Sequence, residues 1–230
     1  HLPYKYFIYI NCINGSILVY KRKLMLNTAE LRELDLYLAS LQCDAQMLPL
    51  HMAVYEGRVE IVCMLITAGS NINMQNEEGE TPLYIASKLC YVEIVKMLIT
   101  AGCDVNICNK LGETPLYIVS FYGYDNVVCE LINAGCETDI PNNKEETPLH
   151  VASAGGYGHI VIMLIKANCN INKHNKHNIE TPLYVASRRG YANVARKLIE
   201  AGCDVDIPNV SWETPLFIAS AGGHVQIVRD

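Results

Sequence analysis

Two histidines in one polar loop are the first residues whose spacing could support chemistry. Cys169, His174 and His177 form a Cys-x4-His-x2-His cluster, and thiolate and imidazole groups are both zinc ligands. A structural zinc site needs four ligands, and the sequence offers no fourth. The simpler interpretation is a solvated loop tip rich in asparagine and lysine. We therefore predict no metal site and no cofactor.

A glycine-rich segment at residues 155–158 could in principle cradle a phosphate, and recurring serines could act as nucleophiles. The segment follows a predicted helix instead of a strand, and no Lys-Ser or Lys-Thr pair comes after it, so phosphate binding is not predicted. The serines occupy one register of a repeated motif, whereas a catalytic residue is needed only once. The sequence therefore predicts that the chain is not an enzyme. These serines are Ser87, Ser120, Ser153, Ser187 and Ser220.

The repeated motif is Thr-Pro-Leu followed by Tyr, His or Phe, and its period determines the architecture. A sixth copy, Leu48-Pro49-Leu50-His51, has lost its threonine. A fixed period of this length indicates one supersecondary unit stacked on itself. The period is 33 residues with a single interval of 34, because the five complete motifs begin at Thr81, Thr114, Thr147, Thr181 and Thr214.

Each repeat predicts two short helices and a loop. Threonine is a good N-cap and proline is well placed at the first helical position. A break follows, containing glycine in most copies, and a second helix carries apolar residues at helical spacing, as in Val92–Ile99. That helix ends at Ala101-Gly102, where glycine can adopt the left-handed conformation. The polar segment 103–113 then suits a hairpin-like loop.

Some copies depart from this pattern. Leu48 at the cap position should lose about 1 kcal/mol of capping energy. Asn168 replaces the glycine that ends a second helix, which is tolerable because asparagine also visits the left-handed region. Glu145, Ile179 and Trp212 stand where two loops have glycine. Since bulky residues avoid positive φ, these three loops are predicted to use a different turn.

The motif, period and internal order resemble the ankyrin repeat from about Gln46 to the end of the chain. The resemblance implies an all-α ankyrin-repeat solenoid of helix–turn–helix units with β-hairpin loops. We expect a repeat domain at residues 46–230 with about six repeats, the last one truncated, and a fragment of a longer protein. Residues 1–45 form a non-repeat segment with a possible β-hairpin around Asn14-Gly15 and a capping helix after Asn27. That helix would place Leu31, Leu34, Leu38 and Leu41 on one face.

Composition narrows the classes of partner. The net charge is −6, 50% of the residues are hydrophobic, and no basic stripe is present, which argues against nucleic acid. No apolar run reaches the roughly 18 residues that a membrane helix needs, so membrane insertion is not expected. Four of the ten cysteines occupy equivalent positions about 8–10 Å apart, too far for disulfides. Free thiols favour a cytoplasmic location, with the nucleus as an alternative. The four are Cys103, Cys136, Cys169 and Cys203.

The resemblance implies a protein-binding module, a scaffold or an adaptor, that is monomeric and binds another protein on the concave face and hairpin tips. The alternative is a regulatory ankyrin segment of a larger enzyme, ubiquitin-ligase adaptor or channel. First-helix positions before the break differ between copies and are expected to be free of packing duties. Aromatic residues and arginine dominate interface hot spots. In the competing interpretation, Trp212 packs on its neighbouring loop and Phe121 fills the seam between repeats. The predicted binding residues are Tyr55, Lys88, Phe121, Tyr122, Arg188, Arg189 and Trp212.

Three loop asparagines match a position that an asparaginyl hydroxylase modifies in similar repeats. Each has a leucine eight residues before it. The alternative is that they only satisfy hydrogen bonds of the turn. The three are Asn73, Asn106 and Asn172.

Overall fold

The structure, a computed structural model, describes residues 6–13, 16–23, 28–40 and 48–230. The chain divides into two compact units, His1–Asn109 and Lys110–Asp230. The division between a non-repeat segment at 1–45 and a repeat domain at 46–230 stays a prediction.

The first unit begins with two strands, β1 (Tyr6–Ile13) and β2 (Ser16–Lys23), which pair antiparallel. Helix α1 (Thr28–Ser40) follows and packs against a later helix, α3 (Val59–Thr67). The guanidinium of Arg58 lies 5.1 Å from the centre of the Tyr37 ring at this contact, and Leu34 is fully buried. The predicted turn at Asn14-Gly15, the predicted cap at Asn27, and Leu41 lie outside the described residues.

The remaining helices come in pairs, one pair for each copy of the motif. In the first unit, α2 packs against α4 and α3 against α5; in the second, α6 packs against α8, α8 against α10, and α10 against α12. This confirms the predicted helix–turn–helix order. The helices are α2 (Pro49–Tyr55), α4 (Pro82–Lys88), α5 (Val92–Thr100), α6 (Pro115–Tyr122), α7 (Asp125–Asn133), α8 (Pro148–Gly155), α9 (Gly158–Lys166), α10 (Pro182–Arg189), α11 (Ala192–Glu200), α12 (Pro215–Ala221) and α13 (Val225–Arg229).

The first helix of each pair begins as the motif predicts. The threonine side chain accepts a hydrogen bond from the backbone N–H three residues on, as in Thr81 with Tyr84 at 3.1 Å. In the fourth copy the backbone N–H of Thr147 donates to Nδ1 of His150 at 3.1 Å, which adds a second capping bond. Leu48 makes no side-chain capping bond, as expected.

Two features of the break between paired helices favour glycine. Gly123 has φ 80°, and a Cβ atom added there would lie 2.6 Å from the ring of Tyr157, which comes from the next repeat. Conformation alone does not require glycine, since Cys90 adopts φ 58° at the equivalent position. Asn168 at φ 59° likewise takes the left-handed conformation that the sequence predicts for it.

The prediction of a different turn at Glu145, Ile179 and Trp212 is wrong. These residues have φ 60°, 55° and 63°, so they adopt the same left-handed conformation as the glycines they replace. An asparagine side chain holds each turn: Oδ1 of Asn142 accepts from the backbone N–H groups of Lys144 and Glu146 at 2.9 and 3.0 Å. Two such bonds offset the roughly 1–2 kcal/mol that a non-glycine residue costs in this conformation.

The last residue of the motif joins one repeat to the next. The hydroxyls of Tyr117 and Tyr184 accept from Nδ2 of Asn142 and Asn209, at 2.9 and 2.8 Å. Where the motif has histidine, the ring contacts a backbone carbonyl instead. Nε2 of His150 lies 3.1 Å from the carbonyl oxygen of Glu180, and His51 contacts that of Glu80 in the same way.

Candidate functional site

A glutamate lies directly before each capping threonine, and the sequence-based prediction of the site did not include these glutamates. All five complete motifs read Glu-Thr-Pro, which was the available signal. Each glutamate therefore directly precedes the N-cap of a first helix. The five are Glu80, Glu113, Glu146, Glu180 and Glu213.

Glu80 brings two of the predicted binding residues together in the first unit. Its carboxylate accepts from the hydroxyl of Tyr55 at 2.8 Å, from Nδ2 of Asn76 at 3.1 Å and from Nζ of Lys88 at 3.0 Å. Burial alone would raise the pKa of Glu80, but these three hydrogen bonds outweigh it and lower the pKa below its ordinary value. Tyr55 and Lys88 therefore stabilise the buried carboxylate.

Arg188 has the equivalent partner, Glu180, in the second unit. Its guanidinium donates to the buried carboxylate of Glu180 at 2.6 Å, eight residues before it, as Lys88 does to Glu80. The expectation that these first-helix positions are free of packing duties is therefore wrong for Tyr55, Lys88 and Arg188. The reason is that a buried carboxylate must be hydrogen-bonded: Tyr55 supplies a neutral donor, and Lys88 and Arg188 supply charged ones.

Glu146 has a different environment in the fourth repeat. It accepts from the hydroxyl of Tyr117 at 3.2 Å and from Nδ2 of Asn142 at 3.1 Å. The residue eight positions later is Ala154, where the second and fifth repeats have Lys88 and Arg188. Among the described residues Glu146 makes no ion pair, so its carboxylate is held by two neutral donors.

Four of the predicted binding residues project to solvent from the second unit. Phe121 and Tyr122 are 52% and 42% exposed, and their ring centres lie 5.2 Å apart in an edge-to-face arrangement. Trp212 is 86% exposed, and Arg189 is exposed as well. The exposure of Phe121 and Trp212 contradicts the interpretation in which they fill a seam and pack on a loop. Whether these side chains bind a partner stays a prediction.

The side chains of Asn73 and Asn172, two of the predicted modification sites, contact the following repeat. Oδ1 of Asn73 accepts from the backbone N–H of Asp104, and Oδ1 of Asn172 from that of Asp204, each at 2.9 Å. Asn106 donates its backbone N–H to the side chain of Asp104 at 2.9 Å. These bonds are the structural role expected of turn asparagines. Their hydroxylation stays a prediction.

The groups that could do chemistry are dispersed or chemically quiet. In the part of the chain that the structure describes, no three His, Cys, Asp or Glu side chains come together to hold a metal ion. The eight described cysteines are free, and burial raises the pKa of the Cys103 thiol to about 11 and that of Cys169 to about 12, so both are protonated at neutral pH. Four of the five serines of the repeated register are fully buried: Ser87, Ser120, Ser153 and Ser187. No described helix has the length and apolarity required to cross a bilayer.

Paired helices, threonine caps and left-handed loop residues at one fixed period define a helical repeat protein. A family model described as ankyrin repeats (3 copies) matches residues 22–109, 50–142, 90–175, 118–209 and 160–229. The chain therefore belongs to the ankyrin repeat family, and its predicted all-α ankyrin-repeat fold is confirmed. Proteins of this family are in general non-catalytic modules that bind other proteins.

Solved structures support the same fold. The ankyrin repeat domain of Bcl-3, a unique member of the IkappaB protein family, superposes with a TM-score of 0.74 and 23% identity, covering 80% of this chain and 84% of that one. At this identity the similarity shows the fold alone. No match was found among the curated proteins.

Proposed function

We propose that this chain is a protein-binding module, acting as a scaffold or adaptor, and that the second unit carries its main contact residues. We name Phe121, Tyr122, Arg189 and Trp212 the recognition residues. The observation that carries the proposal is the exposure of large aromatic side chains, with Trp212 at 86%. Trp, Tyr and Arg are the residues in which binding energy concentrates at protein interfaces.

The surrounding structure supports this assignment. Phe121 and Tyr122 are held in an edge-to-face pair, and Tyr122 stacks on Tyr124 with ring centres 5.5 Å apart. Aromatic residues pre-arranged in this way lose little conformational freedom on binding. The free thiols favour a reducing compartment, so the proposed location is the cytoplasm or the nucleus. The proposed oligomeric state is a monomer.

The test is affinity capture with the full chain as bait, quantified against single alanine variants at Phe121, Tyr122 and Trp212. A partner bound through the recognition residues should be lost with each variant, at roughly tenfold or more weaker affinity for a hot-spot position. Melting temperatures should fall only slightly, because these side chains lie outside the buried core and the alanine variants lose only exposed surface and ring contacts among Phe121, Tyr122 and Tyr124. Retained binding with a large fall in melting temperature would mean that these residues belong to the core.

Val205→Ala is the matched control. Val205 is an exposed apolar residue on the loop after α11 and is not one of the recognition residues, so we expect its removal to leave binding intact. Arg188→Ala is a second comparison, because Arg188 is paired with Glu180 and should change melting temperature together with any binding.

A further inference from the structure

Two ion pairs within the chain, one in each unit, indicate the chemistry of the partner. In the second and fifth repeats a cation eight residues after the motif glutamate reaches the carboxylate: Lys88 Nζ lies 3.0 Å from Glu80 Oε1, and Arg188 contacts Glu180 at 2.6 Å. Both carboxylates are buried, whereas the side chains of Lys88 and Arg188 are about 40% exposed to solvent. The fold thus builds a carboxylate acceptor at this register and fills it with a basic side chain.

The fourth repeat has a glutamate at the same register without the cation. Glu146 is half-buried and accepts from Tyr117 and Asn142, while Ala154 stands at the position of Lys88 and Arg188. Both of these hydrogen bonds end on Oε2 of Glu146, so among the described residues Oε1 accepts none. A carboxylate with one satisfied oxygen and a small neighbour can accept a charged donor from outside.

The neighbouring residue favours arginine as that donor. Phe121 lies four residues after Tyr117 on α6, hence on the same helix face and one turn beyond the side chain that contacts Glu146. Its ring is half exposed and paired with Tyr122. A guanidinium can bind a carboxylate through its fork of N–H donors and stack on an aromatic ring at the same time, which an ammonium does less well.

Glu213 supplies an internal contrast. It has the corresponding bonds from Tyr184 and Asn209, and Ala221 eight residues later, but the residue one turn beyond Tyr184 is Arg188. A cation of this chain therefore stands where Glu146 has an aromatic ring. Compared with Glu213, Glu146 therefore has an exposed aromatic ring and no basic side chain of this chain one turn beyond its tyrosine partner.

We propose that Glu146 receives an arginine side chain of the protein partner, with the Phe121 ring beside it. This inference rests on the proposed function of the chain as a protein-binding module. It states the partner's chemistry: an arginine-bearing segment that takes the place Lys88 and Arg188 occupy within the chain. The negative net charge of −6 favours the approach of such a segment.

The experiment selects peptides from a random-peptide display library on the immobilised full chain. Enriched peptides are then synthesised with their arginine intact, replaced by lysine, or replaced by uncharged citrulline, and their affinities are measured. We expect enriched peptides to contain arginine, and citrulline to weaken binding about tenfold or more, as for the loss of a charged hydrogen bond. Lysine should bind more weakly than arginine and more tightly than citrulline.

The protein variants locate the contact. Glu146→Gln should weaken the arginine peptide about as much as citrulline does, and the two changes together should add little, because they remove the same interaction. Glu145→Gln is the matched control: it removes the same charge one residue away, on an exposed side chain, and should change affinity less than about twofold. Ala154→Arg should also weaken binding, by filling the acceptor from within, while raising the melting temperature.

The outcomes separate this inference from the proposed function. Enriched peptides that need Phe121 or Trp212 but bind Glu146→Gln as tightly as the unchanged chain would overturn the inference and leave the binding module intact. Peptides enriched without a basic residue would do the same. If no peptide is enriched at all, the proposed function itself is contradicted.

Discussion

The fifth and sixth repeats carry nearly the same first helix in two different surroundings. Leu183 in α10 is 2% exposed, whereas Leu216 at the equivalent position in α12 is 56% exposed. Tyr184 is buried and its counterpart Phe217 is exposed in the same way. The helices, the threonine caps and the proline are alike. The difference therefore shows that the repeat after a first helix covers these side chains, and that the helix's own repeat leaves them largely exposed.

Stability in such an array is a sum of terms for each repeat and for each interface between neighbours. The same substitution should then have very different consequences in the two repeats. Its size depends on whether a following repeat covers the position. Four measurements test whether the following repeat is what stabilises a first helix.

The largest effect is expected at the paired leucines. Leu183→Ala removes a fully packed side chain and should lower the free energy of unfolding by about 2–5 kcal/mol. Leu216→Ala removes a largely solvated one and should cost about 0.5 kcal/mol or less. Chemical denaturation of both variants measures the difference. Equal losses would show that each repeat buries its own helix.

A glycine pair tests the same comparison at the helix breaks. Gly123→Ala should cost about 2 kcal/mol, because the left-handed conformation is strained and the new Cβ would meet the ring of Tyr157. Gly223 has φ 69° with nothing within 4 Å of an added Cβ, so its substitution should cost about 1 kcal/mol, from strain alone. Unfolding curves that coincide would exclude a role for the ring in the break.

Protonation of His150 gives a third measurement. Burial lowers the pKa of His150 to about 4, against an ordinary value near 6.5, although hydrogen bonding to Glu180 and the charge of Glu146 act in the opposite direction. Between these pH values the unfolded chain binds a proton that the folded chain does not. The free energy of unfolding should therefore fall by up to about 1.4 kcal/mol for each pH unit as the pH decreases from 6.5 towards 4.

Two variants isolate this contribution from the other titrating groups. His150→Tyr, with the residue that three other copies use, should remove that part of the slope. Phe217→His places a histidine at the equivalent exposed position of the last repeat and should add no slope of its own, since water reaches it. An unchanged slope in His150→Tyr would assign the pH dependence to other groups.

The smallest effect concerns local protection. Helix α13 (Val225–Arg229) has five residues, far below the roughly 12–15 at which an isolated helix becomes marginal. Its end is fastened by Arg196, whose guanidinium donates to Asp230 at 3.0 Å. We expect residues 223–230 to be the least protected helical segment in amide exchange. Amides there that exchange as slowly as those at 127–132 would contradict the comparison.

The sequence was sufficient for what a single repeat contains. Threonine caps, the proline start and the position of each helix follow from local preferences, and the structure confirms them at Thr81 and its counterparts. It was insufficient where two repeats meet. The hydroxyl of Tyr55 donates to Glu80, 25 residues later, and the stacking of neighbouring repeats brings these two residues together.

The prediction for the three left-handed loop residues was wrong for a related reason. Side-chain size alone predicted that Ile179 and Trp212 would avoid positive φ. The stabilising group is an asparagine three or four residues earlier, such as Asn209, whose Oδ1 accepts from Ser211 and Glu213 at 2.9 and 3.0 Å. A rule that considers one residue at a time omits this compensation.

Whether the motif ends in tyrosine or histidine affects whether the next loop can accept an inserted residue. Tyr117 and Tyr184 each touch an asparagine and a glutamate four residues apart in the next loop, so an added residue there would separate their two partners. His150 instead contacts the backbone carbonyl of Glu180, and a carbonyl exists whatever the loop length. The single extra residue of the array lies in this loop, where Asn175 and Glu180 are five residues apart. Histidine at this position therefore tolerates a change in the length of the next loop that would separate the two partners of a tyrosine.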